Sequence, residues 1–301
     1  MATRTIAPHL DRLMTATQKA MRSRKKIDAD APLRVGVDLG TAYTVVVVTD
    51  PSGKPLSGAY QFADVVRDGI VWDFAGAREV VAQVKASVER RIGRSLTHAA
   101  VTIPPAVSES DHRAHRYVVE SVGFECTAVV DEPTAANAVL QVRDGAVVDI
   151  GGGTTGIAIL AHGKVIATDD EPTGGKHLTL VLAGALGISI EEAEQAKQDP
   201  ANHAAFLPIV RPTLEKMATI VARQIATYDV ERIYLVGGTA GFAGIEEIVA
   251  DITGVPTQVP VHPLFVTPLG AASFDTRAGA GSDDTREHAV AAYLQNRGGH
   301  R

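Results

Sequence analysis

The 301-residue sequence predicts a duplicated α/β domain with a ligand cleft between its two copies. Three observations carry that expectation. VGVDLGTAYT (residues 35–44) and VDIGGGTTGI (148–157) share one plan: an apolar run meets Asp, then Gly and Thr, and becomes apolar again. Each reads as a strand, a tight turn and a second strand. After each unit, strand-like and helix-like segments alternate, the pattern of layered α/β domains. The length is about twice that of a common domain.

The elements follow in order. Ile6, Leu10, Leu13, Ala16, Ala20 and Met21 fall at helical spacing within a basic arm, residues 1–32, that also carries Arg4, Arg12, Lys19, Arg22, Arg24, Lys25 and Lys26. This arm reads either as surface helix and linker or as a docking helix. RVGVDLG and YTVVVVTD form the first hairpin, rich in β-branched residues, and PLSGAYQFA a third strand. Val80, Val81, Val84 and Val88 make a helical stripe within Asp73–Arg91. HAAVTIPP is a strand ended by prolines, and Ser108 is a candidate cap for a helix over 108–122. CTAVVDEP is a strand, and a short helix over 134–142 follows Pro133.

The pattern then restarts. AVVDIGGGT and GIAILA form the second hairpin and KVIATDDE another strand. Helices are expected over 176–187, 189–197 and 206–228, then the strand RIYLVGG, a helix over 244–252, and LFVTPLGAAS to close the core. Residues 276–301 are Gly-, Ser- and charge-rich and read as a flexible tail, with a possible helix over 286–296.

Composition removes several function classes. The net charge of −6 argues against broad nucleic-acid binding, which needs a basic face. Cys126 stands alone, so a disulfide framework and a cysteine-based metal site are excluded. There is no apolar run of the ~20 residues that span a bilayer, and no secretory signal, so a cytosolic protein is expected.

The repeated turn points to phosphate chemistry. A turn between strands displays several backbone N–H groups, glycines admit a ligand close to them, and Thr adds a hydroxyl. Such a turn is an anion-binding concavity. An Asp beside phosphates calls for a cation between them, and Mg²⁺ suits one or two carboxylates with water and phosphate oxygens. Gly151–Gly156 also spells G-x-G-x-x-G, but that dinucleotide fingerprint requires a following helix, and GIAIL reads as a strand. His112 and His115 fit two positions of a solvated helix better than a metal site.

Val35–Thr41 and Val148–Thr155 resemble the two phosphate motifs of the actin, sugar-kinase and heat-shock chaperone ATPase superfamily. Asp131-Glu132-Pro133-Thr134-Ala135-Ala136 is similar to the connecting-helix motif of its chaperone branch, and Tyr234–Thr239 to its adenosine motif. From about Leu33 to Ser273 the chain is similar to the EutJ family, the chaperone-like proteins of ethanolamine-utilisation operons, in stretches such as DEPTAA, TGGKHLTLVLAG and ISIEEAEQAK.

The resemblance implies an actin-like ATPase fold: two ribonuclease-H-like α/β domains flanking a nucleotide cleft, without a separate peptide-binding domain. The first half would span 33–145 with 265–275 returning to it, and the second 146–264. It implies ATP or ADP and Mg²⁺ as cofactors, with Asp38 and Asp149 holding the metal mainly through water and Glu132 orienting the attacking water. Gly40, Thr41 and Ala42 would contact phosphate from one side, and Gly151, Gly152, Gly153, Thr154 and Thr155 from the other. Gly174, Gly175, Glu194, Lys197, Gly237 and Gly238 would contact the nucleotide. Gly241 stands where chaperones usually carry an adenine-stacking arginine, Gln198 replaces a second basic residue, and the catalytic-type lysine of chaperones has no counterpart. Weak hydrolysis is therefore expected.

The function implied is an ATP-dependent chaperone-like factor for ethanolamine-catabolic enzymes or their microcompartment, with ethanolamine ammonia-lyase or microcompartment proteins as partners. A filament-forming actin-like ATPase, a small-molecule kinase and a non-hydrolysing nucleotide-binding adaptor are the alternatives. No nucleic-acid partner and no membrane span are expected.

Overall fold

The computed structural model describes residues 8–276 apart from residue 68 and residues 106–108. The expectations that fall on Ile6, on Ser108 as a cap and on a helix over 286–296 lie outside the described residues.

The first half runs α1 (Pro8–Ala20), β1 (Arg34–Leu39), β2 (Tyr43–Thr49), β3 (Pro55–Phe62), a small hairpin β4 (Val66–Arg67) and β5 (Ile70–Val71), α2 (Phe74–Ile92), β6 (His98–Ile103), α3 (Glu109–Ser121), β7 (Glu125–Asp131) and α4 (Glu132–Leu140). The second runs β8 (Gly145–Ile150), β9 (Thr155–Ala161), β10 (Lys164–Glu171), α5 (Gly175–Leu186), α6 (Ile190–Gln198), α7 (His203–Ile225), β11 (Ile233–Val236), α8 (Ile245–Thr253), β12 (Thr257–Gln258) and α9 (Val266–Ala272).

The two large sheets have the same plan. Their orders are β3-β2-β1-β6-β7 and β10-β9-β8-β11-β12. In each, the first three strands form an antiparallel meander and the last two add in parallel. The duplication expected from the two Asp-Gly-Thr units is thus a property of the whole sheet.

Packing explains why these strands read as continuous apolar runs: both faces of each sheet are covered. The outer face of the first sheet packs Val35 and Val37 against Val81, Val84 and Val88 of α2 and Val118 of α3. The outer face of the second packs Val148 and Ile157 against Leu178, Leu182, Leu214, Met217 and Val249 of α5, α7 and α8. The inner faces share one cluster, in which Val45 and Val47 meet Val147, Ala158 and Val236 through α4 and α9. The two halves are therefore joined by a common apolar layer.

Helix α1 belongs to that layer. Leu10, Leu13 and Met14 are buried in it, so its apolar stripe is covered by the chain's own core. The reading of this stretch as a helix that docks elsewhere through its apolar face is corrected. Met14 and Thr17 join the buried face and Ala16 does not, a shift of register that spacing alone left ambiguous.

Other boundaries move for local reasons. Helix α4 starts at Glu132 rather than 134, because the Asp131 carboxylate caps it by accepting from Thr134 N at 2.9 Å, which places Pro133 in the first turn. Helix α7 starts at His203, ahead of Pro208 and Pro212, which obscured its first turns in the sequence. His115 is fully buried in α3, so the solvated reading fails for it and holds for exposed His112. The short strands β4, β5 and β12 were not expected, being too brief for a periodic signal.

The first sheet is stapled at its lower end by Asp275, which is 1% exposed. Its carboxylate accepts from Val35 N (2.8 Å), pairs with His98 Nδ1 (2.6 Å) and accepts from Thr127 Oγ1 (2.8 Å), linking β1, β6 and β7. Removing it leaves buried donors without a partner. Asp275→Ala is expected to destabilise the protein by about 3–5 kcal/mol, read as a lower urea midpoint at unchanged slope.

Candidate nucleotide site

Between the two halves lies a cavity of about 330 Å³, bordered by the ends of β1, β8 and β11. The β1–β2 turn of the first sheet and the β8–β9 turn of the second both border it. The turns are built alike: Gly40 N donates to Tyr43 O at 3.0 Å, and Gly151 N donates to Thr154 O at 3.0 Å.

They also touch. A Cβ on Gly152 would lie 2.6 Å from Ala42 Cβ, and one on Gly153 would lie 2.8 Å from Thr41 Cγ2. Only glycine lets the second turn approach the first so closely. The carbonyl oxygens of the second turn are tied back into the protein. Gly151 O accepts from Gly175 N (3.0 Å) and Thr239 Oγ1 (2.7 Å), and Gly152 O accepts from Lys176 N (2.8 Å). Among the described residues, by contrast, the N–H groups of Thr41, Ala42, Gly152 and Gly153 make no hydrogen bond within the protein. Four free amides clustered on two facing turns form a donor cradle for an anion.

Three carboxylates border the cradle. Asp38 ends β1 and its Oδ1 accepts from Thr102 Oγ1 of β6 at 2.7 Å. Asp149 is 6% exposed on β8, and its Oδ2 accepts from Thr267 Oγ1 of α9 at 2.7 Å. Glu132 opens α4 and lines the same cavity. Burial first, then the charge of Asp149, pushes Asp38 up to about 7, against the Thr102 hydrogen bond. Burial pushes Asp149 up to about 6, opposed by Thr267. Glu132 is raised well above an ordinary glutamate by burial and by the charges of Asp149, Asp38, Asp170 and Asp131. Ionising all three carboxyls accumulates negative charge that bound protons or a cation would offset.

The sign of the pH effect follows. Without a cation, the native carboxyls bind protons more tightly than the unfolded chain's, so their contribution to stability falls as pH rises from about 4 to about 7. Asp38→Asn removes the burden of the charged form. Its melting temperature should match wild type only at about pH 4 and exceed it increasingly up to about pH 7, measured without nucleotide or metal.

Farther along the cavity, Glu194 and Lys197 of α6 meet each other. Lys197 Nζ donates to Glu194 Oε2 (2.7 Å), Thr179 Oγ1 (2.8 Å) and Gly175 O (3.0 Å). All three ammonium donors are thus spent inside the protein, and the pair borders the cavity as a neutralised unit. Burial lowers Lys197, and Lys197 helps hold Glu194 low despite its own burial.

Of the residues singled out from the sequence, Asp38, Gly40, Thr41, Ala42, Glu132, Asp149, Gly151, Gly152, Thr154, Glu194, Lys197, Gly237 and Gly238 line the one cavity. Gly153, Thr155, Gly174 and Gly175 do not line it but build its wall from behind. Gly153 packs on Thr41, and Thr155 Oγ1 is spent on Thr173 O at 2.7 Å. Gly174 lies so close to Gly152 that a Cβ would come within 2.8 Å of its carbonyl.

Sequence reasoning missed Thr102 and Thr267, which orient the two aspartates, because nothing in HAAVTIPP or LFVTPLG marks a hydroxyl for a partner far along the chain. It also missed Tyr43, Tyr60 and a stacked pair, His203 on Phe242 at 4.2 Å, that faces the cavity near Gly238 and Gly241. The His203 ring is fixed: Nδ1 accepts from Ala243 N at 3.1 Å, which leaves Nε2 to donate to Lys197 O at 2.9 Å. Among the described residues no three His, Cys, Asp or Glu side chains converge on one metal position. Carboxylates with water and phosphate oxygens are the donor set that suits Mg²⁺.

Comparison with known proteins bears on the family and the fold. Residues 146–272 match the family described as cell division protein FtsA, and residues 58–182 match MreB/Mbl protein. The chain is 45% identical over 245 residues to ethanolamine utilization protein EutJ of Escherichia coli (strain K12), covering 81% of this chain and 86% of that protein. The crystal structure of ethanolamine utilization protein EutJ from Carboxydothermus hydrogenoformans superposes with a TM-score of 0.83 at 47% identity, covering 88% of this chain and 98% of that one. MreB5 of Spiroplasma citri bound to AMPPNP superposes with a TM-score of 0.65 at 16% identity over 80% of this chain and 95% of that one, a likeness of fold. The fold is actin-like.

Proposed function

The chain belongs to the family of ethanolamine utilization protein EutJ, and from that premise we propose that it is an ATP-binding, chaperone-like factor. Its nucleotide-dependent cleft motion assists enzymes of ethanolamine catabolism or their microcompartment, ethanolamine ammonia-lyase first among them. The observation that carries the nucleotide part is the free amides of Thr41, Ala42 and Gly152 lining one cavity with Asp38, Asp149 and Glu132. That an MreB5 of the same fold binds AMPPNP supports it.

The residues divide the work. Amides of Thr41 and Ala42 on one turn, and of Gly152 on the other, receive phosphate oxygens from opposite sides. Asp38 and Asp149, oriented by Thr102 and Thr267, would hold Mg²⁺. When bound, the metal neutralises phosphate charge and offsets the three carboxylates. Glu132, made more basic by its burial and neighbours, takes the proton of an attacking water. Gly237, Gly238 and the His203–Phe242 stack border the nucleoside end, beside the Glu194–Lys197 pair.

Cleft motion follows from this division. The halves meet at Thr41 and Gly153, and again where Lys176 of α5 lies 3.5 Å from Asp64. A γ-phosphate gripped by both turns favours the closed state, and its loss removes part of that preference.

One observation favours a second reading, a nucleotide-binding adaptor that hydrolyses little. Lys197 is the sole cation among the described residues lining the cavity, and its donors are spent. Charge neutralisation then falls to amides and metal, so turnover is expected to be slow. The test is recovery of inactivated ethanolamine ammonia-lyase with this protein and ATP or AMPPNP. Recovery with ATP alone supports the chaperone; equal recovery with AMPPNP and phosphate release at background supports the adaptor; no recovery with either rejects both roles for that enzyme.

A further inference from the structure

The strongest charged feature outside the cavity lies where the segment after α1 runs along the end of α2. Ile27 N donates to Ile92 O at 2.9 Å, and Lys26 Nζ donates to Arg90 O at 2.9 Å. Arg94 Nη1 donates to Asp28 O (2.8 Å) and Ala31 O (2.7 Å). These contacts lay the segment that carries Arg22, Arg24, Lys25 and Lys26 beside Arg90 and Arg94 at the end of α2, and all but Arg94 are exposed. Arg91 sits beneath them, its guanidinium spent on Met21 O, Gly58 O and Ser87. Burial, and then the charges of Arg24 and Arg90, lower Arg91.

This cluster is unusual for the molecule. The chain carries a net charge of −6, and several of its other surface cations, such as Arg67, Arg116, Arg211 and Arg223, sit in ion pairs. Among the described residues none of the six surface cations does. The acids within the two segments are Asp28, Asp30 and Glu89. Glu89 is occupied by Leu96 N and Lys85, and the other two pair with none of the six. A helix C-terminus welcomes one or two cations in its last turn, which accounts for Arg90 and Arg91 but not for four more from another segment.

We infer that this surface is a docking site for an acidic segment of a partner protein. Arginine forks match carboxylates two oxygens at a time, and four of the six cations are arginine. Other polyanions fit less well. Single-stranded nucleic acid needs aromatic platforms, and no aromatic side chain lies among these cations in either segment. An anionic membrane would also take up an amphipathic face, but Leu10, Leu13 and Met14 of α1 are buried in the core. The chain's own end is no match, since residues 277–301 carry four arginines against three carboxylates.

The test uses the full chain and a fluorescent oligoglutamate peptide, with a DNA duplex and phosphatidylglycerol-containing vesicles as competing probes. Peptide binding is expected to weaken at least about tenfold between about 50 mM and about 300 mM salt. It should weaken by a similar factor in the triple variant R22E/R24E/K25E, whose nucleotide affinity stays at wild type because none of the three lines the cavity. An unfolded variant would be exposed by that control, and R22Q/R24Q/K25Q, which should lose about half the effect on a logarithmic scale, replaces it. Undiminished peptide binding in both variants, no peptide binding at low salt, or tighter binding of DNA or vesicles would overturn the inference. So would salt-sensitive self-association that the same substitutions abolish.

Discussion

Asp149→Ala is expected to weaken Mg²⁺-dependent ATP binding about a hundredfold or more while making the ligand-free protein more stable. The two signs differ because one carboxylate has two jobs. In the bound state Asp149 carries the charge that holds the hydrated metal, and Thr267 fixes its direction at 2.7 Å. Loss of a group that orients a metal site costs on the order of 10–100-fold in affinity, and loss of a charged ligand costs more. In the free state the same carboxylate is buried beside Asp38 and Glu132, which burial and mutual repulsion have raised to about 7 and well above normal respectively. Removing one charge relieves about 1–3 kcal/mol at neutral pH. Asp149→Asn keeps the shape and should show the same pair of effects. Calorimetric titration reads the first and thermal melting the second, at about 2–4 °C per kcal/mol. A variant that lost both binding and stability would assign Asp149 a purely structural part.

Gly270→Ala is expected to cost more than any single change away from the cavity. Helices α4 and α9 cross inside the layer that joins the two halves. A Cβ on Gly270 would lie 1.7 Å from Ala135 O and 2.6 Å from Ala135 C, which are backbone atoms of α4. On the opposite side, Gly36 of β1 leaves equally little room, with Pro268 O of α9 only 2.1 Å from its would-be Cβ. Helix α9 is therefore held between two backbones. Overpacking a core commonly costs about 1–3 kcal/mol when side chains shift, and here a whole helix must move. A loss of at least about 4 kcal/mol is expected, seen as a large drop in melting temperature or failure to accumulate folded protein. Gly184→Ala in α5 is the control, since nothing lies within 4 Å of its would-be Cβ. It should be neutral or stabilising by up to about 1 kcal/mol. The consequence reaches the cavity as well, because α4 begins with Glu132 and α9 carries Thr267.

The contrast between these residues shows what the sequence reveals. Asp38 and Asp149 are legible because each ends an apolar strand beside a glycine turn, and local pattern suffices to read a strand, a turn and a charge. Glu132 is legible through the DEPTAA motif. Thr102 and Thr267 are not, since a threonine in a strand or a short helix has many uses, and theirs depends on chain segments 64 and 118 residues away. The crossing of α4 and α9 is hidden for the same reason: Gly270 reads as an ordinary small residue in LFVTPLGAAS until α4 is laid against it. Helix α1 was legible as a helix, but the face that packs into the shared layer was fixed by tertiary contacts with β3 and the segment before α9. Local order is written in local sequence, and the pairing of distant hydroxyls and glycines is not.

The most direct measurement is calorimetric titration of the intact protein with ATP in the presence and absence of Mg²⁺. If the two turns are the jaws of one phosphate clamp, binding appears with Mg²⁺, weakens strongly without it, and releases protons near pH 7 as Asp38 and Asp149 ionise. Absence of heat at any ATP concentration up to the millimolar range, confirmed by an unchanged melting temperature, would contradict the account.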